Sequence, residues 1–110
     1  MSEKLLGKIT FAEFGTMKGY PFLIGLQLGF KMNGCGIFDG GKYTANISEK
    51  CKEKIGTEEY YYEVAKSIEF VDKILKDAKC NYVSELENKP VEVVIENNQL
   101  KDFRILTEVL

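Results

Sequence analysis

The stretch from Lys89 to Leu106 constrains the fold more than any other, because it reads as a complete β-hairpin whose pairing follows from residue types. Val91, Val93 and Ile95 alternate with Glu92, Val94 and Glu96, the two-residue period of a half-buried strand. On the return, Phe103 and Ile105 fall between Asp102, Arg104 and Leu106. A two-residue Asn97-Asn98 loop would pair Glu96 with Gln99 and set Val93 opposite Asp102 and Val91 opposite Arg104. A three-residue Asn97-Asn98-Gln99 loop would pair Glu96 with Leu100, setting Val93 opposite Phe103, Val91 opposite Ile105 and Glu92 opposite Arg104. A one-residue slip turns every side chain to the other face. The second arrangement gains two apolar cross-strand pairs and one opposite-charge pair, each contributing about 0.2–1 kcal/mol, so the three-residue loop is expected. Asn tolerates the left-handed backbone such loops need.

Upstream, strand patterns precede a single long helical one. Leu5 to Phe14 reads as a first strand, and Gly15 to Pro21 as a loop punctuated by glycine and proline. Phe22, Ile24, Leu26, Leu28, Phe30 and Met32 then occupy every second position, which predicts the longest strand of the sheet. Its other face is bare at Gly25 and Gly29, as happens where something approaches the backbone closely or a strand bends. Asn33-Gly34 marks a hairpin turn. Cys35 to Asp39 returns, Gly40-Gly41 is a bulge or second turn, and Tyr43, Ala45 and Ile47 continue the alternation. From Thr57, a candidate N-cap followed by Glu58 and Glu59, the period changes to that of a helix of twenty-three residues. Tyr61, Val64, Ala65, Ile68, Val71, Leu75 and Ala78 form its apolar stripe. Residues 48–56 read equally as a helical turn or a charged loop. The expected fold is one α+β domain, an antiparallel sheet of about five strands with one long helix on one face, in the order β-β-β-(β)-α-β-β.

Composition narrows the function classes. With 110 residues the chain has length for a single core, and no apolar run approaches the ~20 residues of a membrane span. Met1-Ser2-Glu3-Lys4 leads straight into a strand pattern, so no signal peptide is expected. Cys35, Cys51 and Cys80 are odd in number and far apart, with no Cys-x-x-Cys pair. Unpaired thiols suit a reducing cytoplasm, the expected location. Net charge is +2 over residues 1–47, −2 over 48–89 and −2 over 90–110, without the concentrated basic face of a duplex-binding domain.

The chain contains no histidine, which removes Ser-His and Cys-His nucleophile pairs and the commonest general base. The remaining carboxylates, Glu13, Asp39 and Glu92 among them, are scattered singly, so neither an enzyme nor a cofactor is expected. Gly15-Thr16-Met17-Lys18-Gly19 could cradle a phosphate through backbone N–H groups and Lys18, but Tyr20-Pro21 opens a strand where a phosphate loop would open a helix. Asp39-Gly40-Gly41-Lys42-Tyr43 could form a small anion nest, or simply turn the chain. Tyr60-Tyr61-Tyr62 covers three helix directions, so at least one ring faces solvent or a partner, and exposed tyrosines are frequent hot spots. Candidate binding residues are therefore Lys18, Tyr20, Asp39, Lys42, Tyr43, Tyr60, Tyr61 and Tyr62.

At the C-terminus, Val83-Ser84-Glu85-Leu86, Lys89-Pro90-Val91-Glu92-Val93 and the run from Leu100 to Leu110 together resemble a group of small proteins encoded by phages and prophages of Gram-positive bacteria. The resemblance extends more loosely to the Phe22–Phe30 strand, the glycine turn near Asp39 and the helix before Asn81-Tyr82. It implies a host-cell context and a protein that inhibits host machinery, such as a CRISPR or nucleotide-signalling defence component, through a protein–protein surface. Two alternatives stand beside it: an oligomeric module sequestering a cyclic or ADP-ribose-type nucleotide in glycine-lined turns, and a single-strand nucleic-acid binder of phage replication.

Overall fold

A computed structural model describes residues 2–110. The fold is α+β, with six antiparallel strands: β1 (Ser2–Met17), β2 (Tyr20–Met32), β3 (Cys35–Phe38), β4 (Thr44–Asn46), β5 (Pro90–Glu96) and β6 (Gln99–Ile105). Two helices, α1 (Glu49–Ile55) and α2 (Thr57–Asp77), separate β4 from β5. A 3₁₀ turn at Val83–Leu86 leads into the closing hairpin. The sheet runs β3-β2-β1-β5-β6, with β4 also on the outer edge of β2. Its inner face carries Ile9, Leu26, Leu28, Phe30, Val91, Val93, Phe103 and Ile105, all buried. Ile74 and Ala78 of α2 and Leu86 of the 3₁₀ turn complete that core.

The aromatic packing shows how the helix is seated. The ring of Phe103 lies 4.9 Å from Phe30 across the sheet, and Tyr43 stacks on Phe70 of α2 at 4.3 Å. Tyr43 also meets Phe103 edge-on at 5.8 Å, so one aromatic cluster bridges sheet, helix and the β3–β4 connection. Such pairs contribute ~0.5–1.5 kcal/mol beyond area burial.

Several expectations change. The first strand is the longest, at sixteen residues against thirteen for β2, because it serves two neighbours. Its residues 2–8 pair with β5, and its residues 7–17 pair with β2. The expected Gly15–Pro21 loop shrinks to a Lys18-Gly19 turn: Gly15 pairs with Gly25, Thr16 with Ile24 and Met17 with Tyr20. Residues 48–56 contain α1, whose N-cap Ser48 accepts from Cys51 N–H at 3.1 Å. Gly56, at φ +91, ends α1 and caps α2, so Thr57 is the first residue of a twenty-one-residue helix and not its cap.

The closing hairpin keeps the expected register and loses the expected loop. Val91 faces Ile105, Glu92 faces Arg104 and Val93 faces Phe103. Yet Glu96 pairs with Gln99, leaving Asn97 and Asn98 as a two-residue loop at φ +53 and +62. Positive φ at both positions is the type I′ geometry that matches strand twist. A register shift between the Val94–Asp102 and Ile95–Leu100 pairs leaves Lys101 as the extra residue. The turn selects two residues, the apolar faces select the other register, and a bulge reconciles them.

Candidate functional site

Beyond Ile9 the β1–β2 ribbon extends past the β5–β6 half of the sheet, since its last residues on β1 pair with β2 alone. The radius of gyration is 14.7 Å, against about 13 Å for a compact chain of this length. At the ribbon tip the ladder steps from Thr16–Ile24 directly to Met17–Tyr20, leaving Pro21, Phe22 and Leu23 without counterparts on β1. Pro21 has no N–H for the ladder, which forces this bulge. The bulge turns Phe22 outward, and its carbonyl accepts from Ile47 N–H at 2.8 Å. Tyr20 packs edge-on against Phe22 at 6.2 Å. Both rings remain about half exposed, at 50% and 42%.

The amphipathic turn of α1 sits beside them. Phe22, Cys51 and Ile55 line a groove of about 520 Å³ whose charged lining groups are Lys50 and Lys54. Ile55 also borders a second hollow, which runs to Tyr62 past the start of α2. Tyr60 is half-buried and donates its hydroxyl to the Ile47 carbonyl at 3.1 Å, tying α2 to the end of β4. Lys52 donates to the Tyr61 hydroxyl at 3.3 Å and lies over the Tyr61 ring at 5.1 Å. That hydrogen bond holds the Lys52 ammonium above the ordinary lysine range. Tyr62 is exposed, with Lys66 over its ring at 5.2 Å. One tyrosine of the three is therefore structural and two face outward.

The residues singled out in the sequence fall into three neighbouring groups. Lys18 and Tyr20 are at the ribbon tip, Asp39, Lys42 and Tyr43 are in the β3–β4 connection, and Tyr60 to Tyr62 open α2. The tip leans on the connection, because a Cβ at Gly41 would lie 2.9 Å from the Met17 sulfur. The first glycine segment forms no cradle, whereas Gly40 and Gly41 line a hollow of about 380 Å³ together with Lys42 and Asn98. Residues 15–17 are in the ladder, and the Gly15 carbonyl accepts from Gln27 Nε2 at 3.1 Å. In the connection, Asp39 accepts from the N–H groups of Leu28 and Gly41, both at 2.9 Å. Of the donors an anion nest would offer, the Gly41 N–H is taken by this carboxylate and the Lys42 N–H by the Asp39 carbonyl. Burial pushes Asp39 up from its ordinary value, outweighing those two hydrogen bonds.

Tyr43 has the least comfortable environment of the set. Phe70 stacks on its ring and Phe103 meets it edge-on, and its buried hydroxyl has no hydrogen-bond partner among the described residues. Burial, reinforced by Asp102 and Asp39, pushes its ionisation well above the ordinary tyrosine range.

Phe14, Phe22, Ile47, Ile55, Lys50 and Lys54 are not among the binding residues singled out in the sequence. Pro21 inside a strand pattern was the signal for the bulge that exposes Phe22, and Ser48-Glu49 was the signal for α1. Among the described residues, no group of His, Cys, Asp and Glu side chains is placed to hold a metal ion. Among the same residues, no helix is long and apolar enough to cross a membrane. Comparison with family models, with curated proteins and with solved structures returned no match.

Proposed function

We propose that the protein is a non-enzymatic binding protein, encoded by a phage or prophage, that blocks a bacterial defence component by docking its ribbon-tip surface on a host protein. The observation that carries this reading is the pairing of half-exposed Tyr20 and Phe22 over the α1 groove, rimmed by Lys50 and Lys54. Aromatic anchors beside an apolar groove with a polar rim are the anatomy of a protein interface. The lysine rim favours a partner with an acidic border around an apolar knob. The C-terminal resemblance supplies the host-defence context.

The test expresses the protein in cells carrying defined defence systems, one at a time, and scores phage plating. Relief of one system is expected, with a stable complex between the purified protein and that system's effector. Tyr20→Ala/Phe22→Ala should abolish both while leaving the circular dichroism spectrum unchanged. Undiminished defence across the panel would reject the reading, as would relief that survives the double substitution.

The same lysines favour a second reading, single-strand nucleic acid stacked on Tyr20 and Phe22. It requires affinity that falls steeply with salt. A flat salt response in a fluorescence-anisotropy titration with single-stranded oligonucleotides removes it.

A further inference from the structure

The edge strands β3 and β6 are at opposite ends of the strand order, yet the sheet curls until both border one hollow. This hollow, of about 380 Å³, opens between the β3–β4 connection and the tip of the closing hairpin. Ile37 and Leu100 supply apolar lining. Its volume falls at the lower end of the ~300–1,000 Å³ range of small-ligand sites, for which the mouth of a curled sheet is a common place.

The groups around it are polar and largely unspent. Each Asp39 carboxylate oxygen accepts one backbone N–H at 2.9 Å, and a carboxylate oxygen has lone pairs for a second donor. Lys42 is exposed and has no ion-pair partner among the described residues. The Gly40 N–H has no acceptor among the described residues, and a Cβ there would meet nothing within 4 Å. Phe38 is the most exposed phenylalanine of the chain, at 71%, and Phe11 holds its ring edge-on at 6.2 Å. The Asn98 side chain lines the hairpin side.

We propose that this hollow binds a single adenine ribonucleotide. A bare anion would meet repulsion from Asp39, and a neutral sugar would leave Lys42 without a role. A ligand that carries both hydroxyls and negative charge uses both residues. The ribose hydroxyls donate to the spare lone pairs of Asp39, as carboxylates hold ribose elsewhere. Lys42 and the Gly40 N–H take the phosphate. Phe38 offers the base a ring to stack on, and the Asn98 amide presents the adjacent donor and acceptor that adenine's edge matches. This goes beyond the docking reading: none of these residues lines the Phe22–Ile55 groove, so either proposal can fail alone.

Equilibrium dialysis of the purified chain against adenosine 5′-monophosphate, its 2′-deoxy analogue and adenosine tests it. The ribonucleotide should bind one per chain, about tenfold tighter than either analogue. Lys42→Ala should weaken the ribonucleotide roughly tenfold and leave adenosine unchanged, whereas Phe38→Ala should weaken both alike, each with unchanged circular dichroism. The deoxy comparison tests Asp39 without removing an acceptor that the fold uses. No retention at millimolar ribonucleotide overturns the proposal, as does equal affinity for the deoxy analogue. So does a Lys42→Ala chain that loses adenosine as much as the nucleotide, or a single-stranded oligoadenylate that binds more tightly than the mononucleotide.

Discussion

Gly15 and Gly25 face each other across the β1–β2 ladder, yet only Gly25 is confined. A Cβ at Gly25 would lie 2.5 Å from the Tyr43 carbonyl oxygen and 2.8 Å from Thr44 Cα, whereas one at Gly15 would meet nothing within 4 Å. The absent side chain at Gly25 lets the β4 backbone close on β2 and lets Ser67 of α2 approach. Gly25→Ala is expected to destabilise the fold by about 1–3 kcal/mol. Gly15→Ala, where φ is not positive, should be neutral or stabilise by about 0.5 kcal/mol through the unfolded chain. Urea unfolding of the two variants, compared at equal m-value, checks the asymmetry.

Asp39 stands in for backbone where the β3–β4 return strand is interrupted, its two carboxylate oxygens accepting from Leu28 and Gly41. Asp39→Ala leaves both N–H groups unpaired and should cost about 1–3 kcal/mol. The raised folded-state value sets the sign of the pH dependence. Native protein holds this proton more tightly than unfolded chain, so the benefit is full below the ordinary 3.8 and falls as pH rises through the folded value. The Asp39→Ala penalty should therefore be larger in acid than at neutral pH, as measured by the difference in unfolding midpoints.

Tyr43→Phe should raise stability by about 1 kcal/mol, because it removes a buried hydroxyl that has no partner and keeps the ring stack on Phe70. Native protein also keeps the phenolic proton above pH 10.0, where unfolded chain releases it, so wild-type stability declines there. The difference between wild type and Tyr43→Phe should widen above that pH in thermal melts.

The Asn97-Asn98 loop has left-handed backbone at both positions. Asn98→Gly should be neutral or slightly stabilising, and Asn98→Val should cost roughly 1–2 kcal/mol. Guanidinium midpoints of the two variants differ in the stated direction if the turn is type I′.

The inner face of the closing hairpin was legible because Val91, Val93, Phe103 and Ile105 alternate with charged or polar partners, and burial tolerates no other phase. The bareness of Gly25 and Gly29 was legible as close approach: β4 closes on the first, and the Phe38 ring lies 2.9 Å from where a Cβ would stand on the second. The hairpin loop was misread because turn geometry and cross-strand pairing demanded different lengths, and a bulge at Lys101 satisfies both. The face of α2 was legible in part: Val71, Leu75 and Ala78 of the stripe pack on the core, joined by Phe70 and Ile74 one step round the helix, while Tyr61 and Ile68 are exposed. Periodicity alone does not say how far along the helix the sheet reaches. The Phe22 surface depended on a bulge caused by Pro21, a local event that strand alternation conceals.

The divided allegiance of β1 has a consequence for motion. Residues 2–6 pair with β5 alone, Gly7 and Lys8 are held by both neighbours, and the second half has only β2. The amides of residues 10–17 therefore fall into two sets, alternating between those locked into β2 and those open to solvent. The distal ribbon can peel and reseal while Val93 and Phe103 stay closed, giving the tip a softness that the hairpin end of the same sheet does not share.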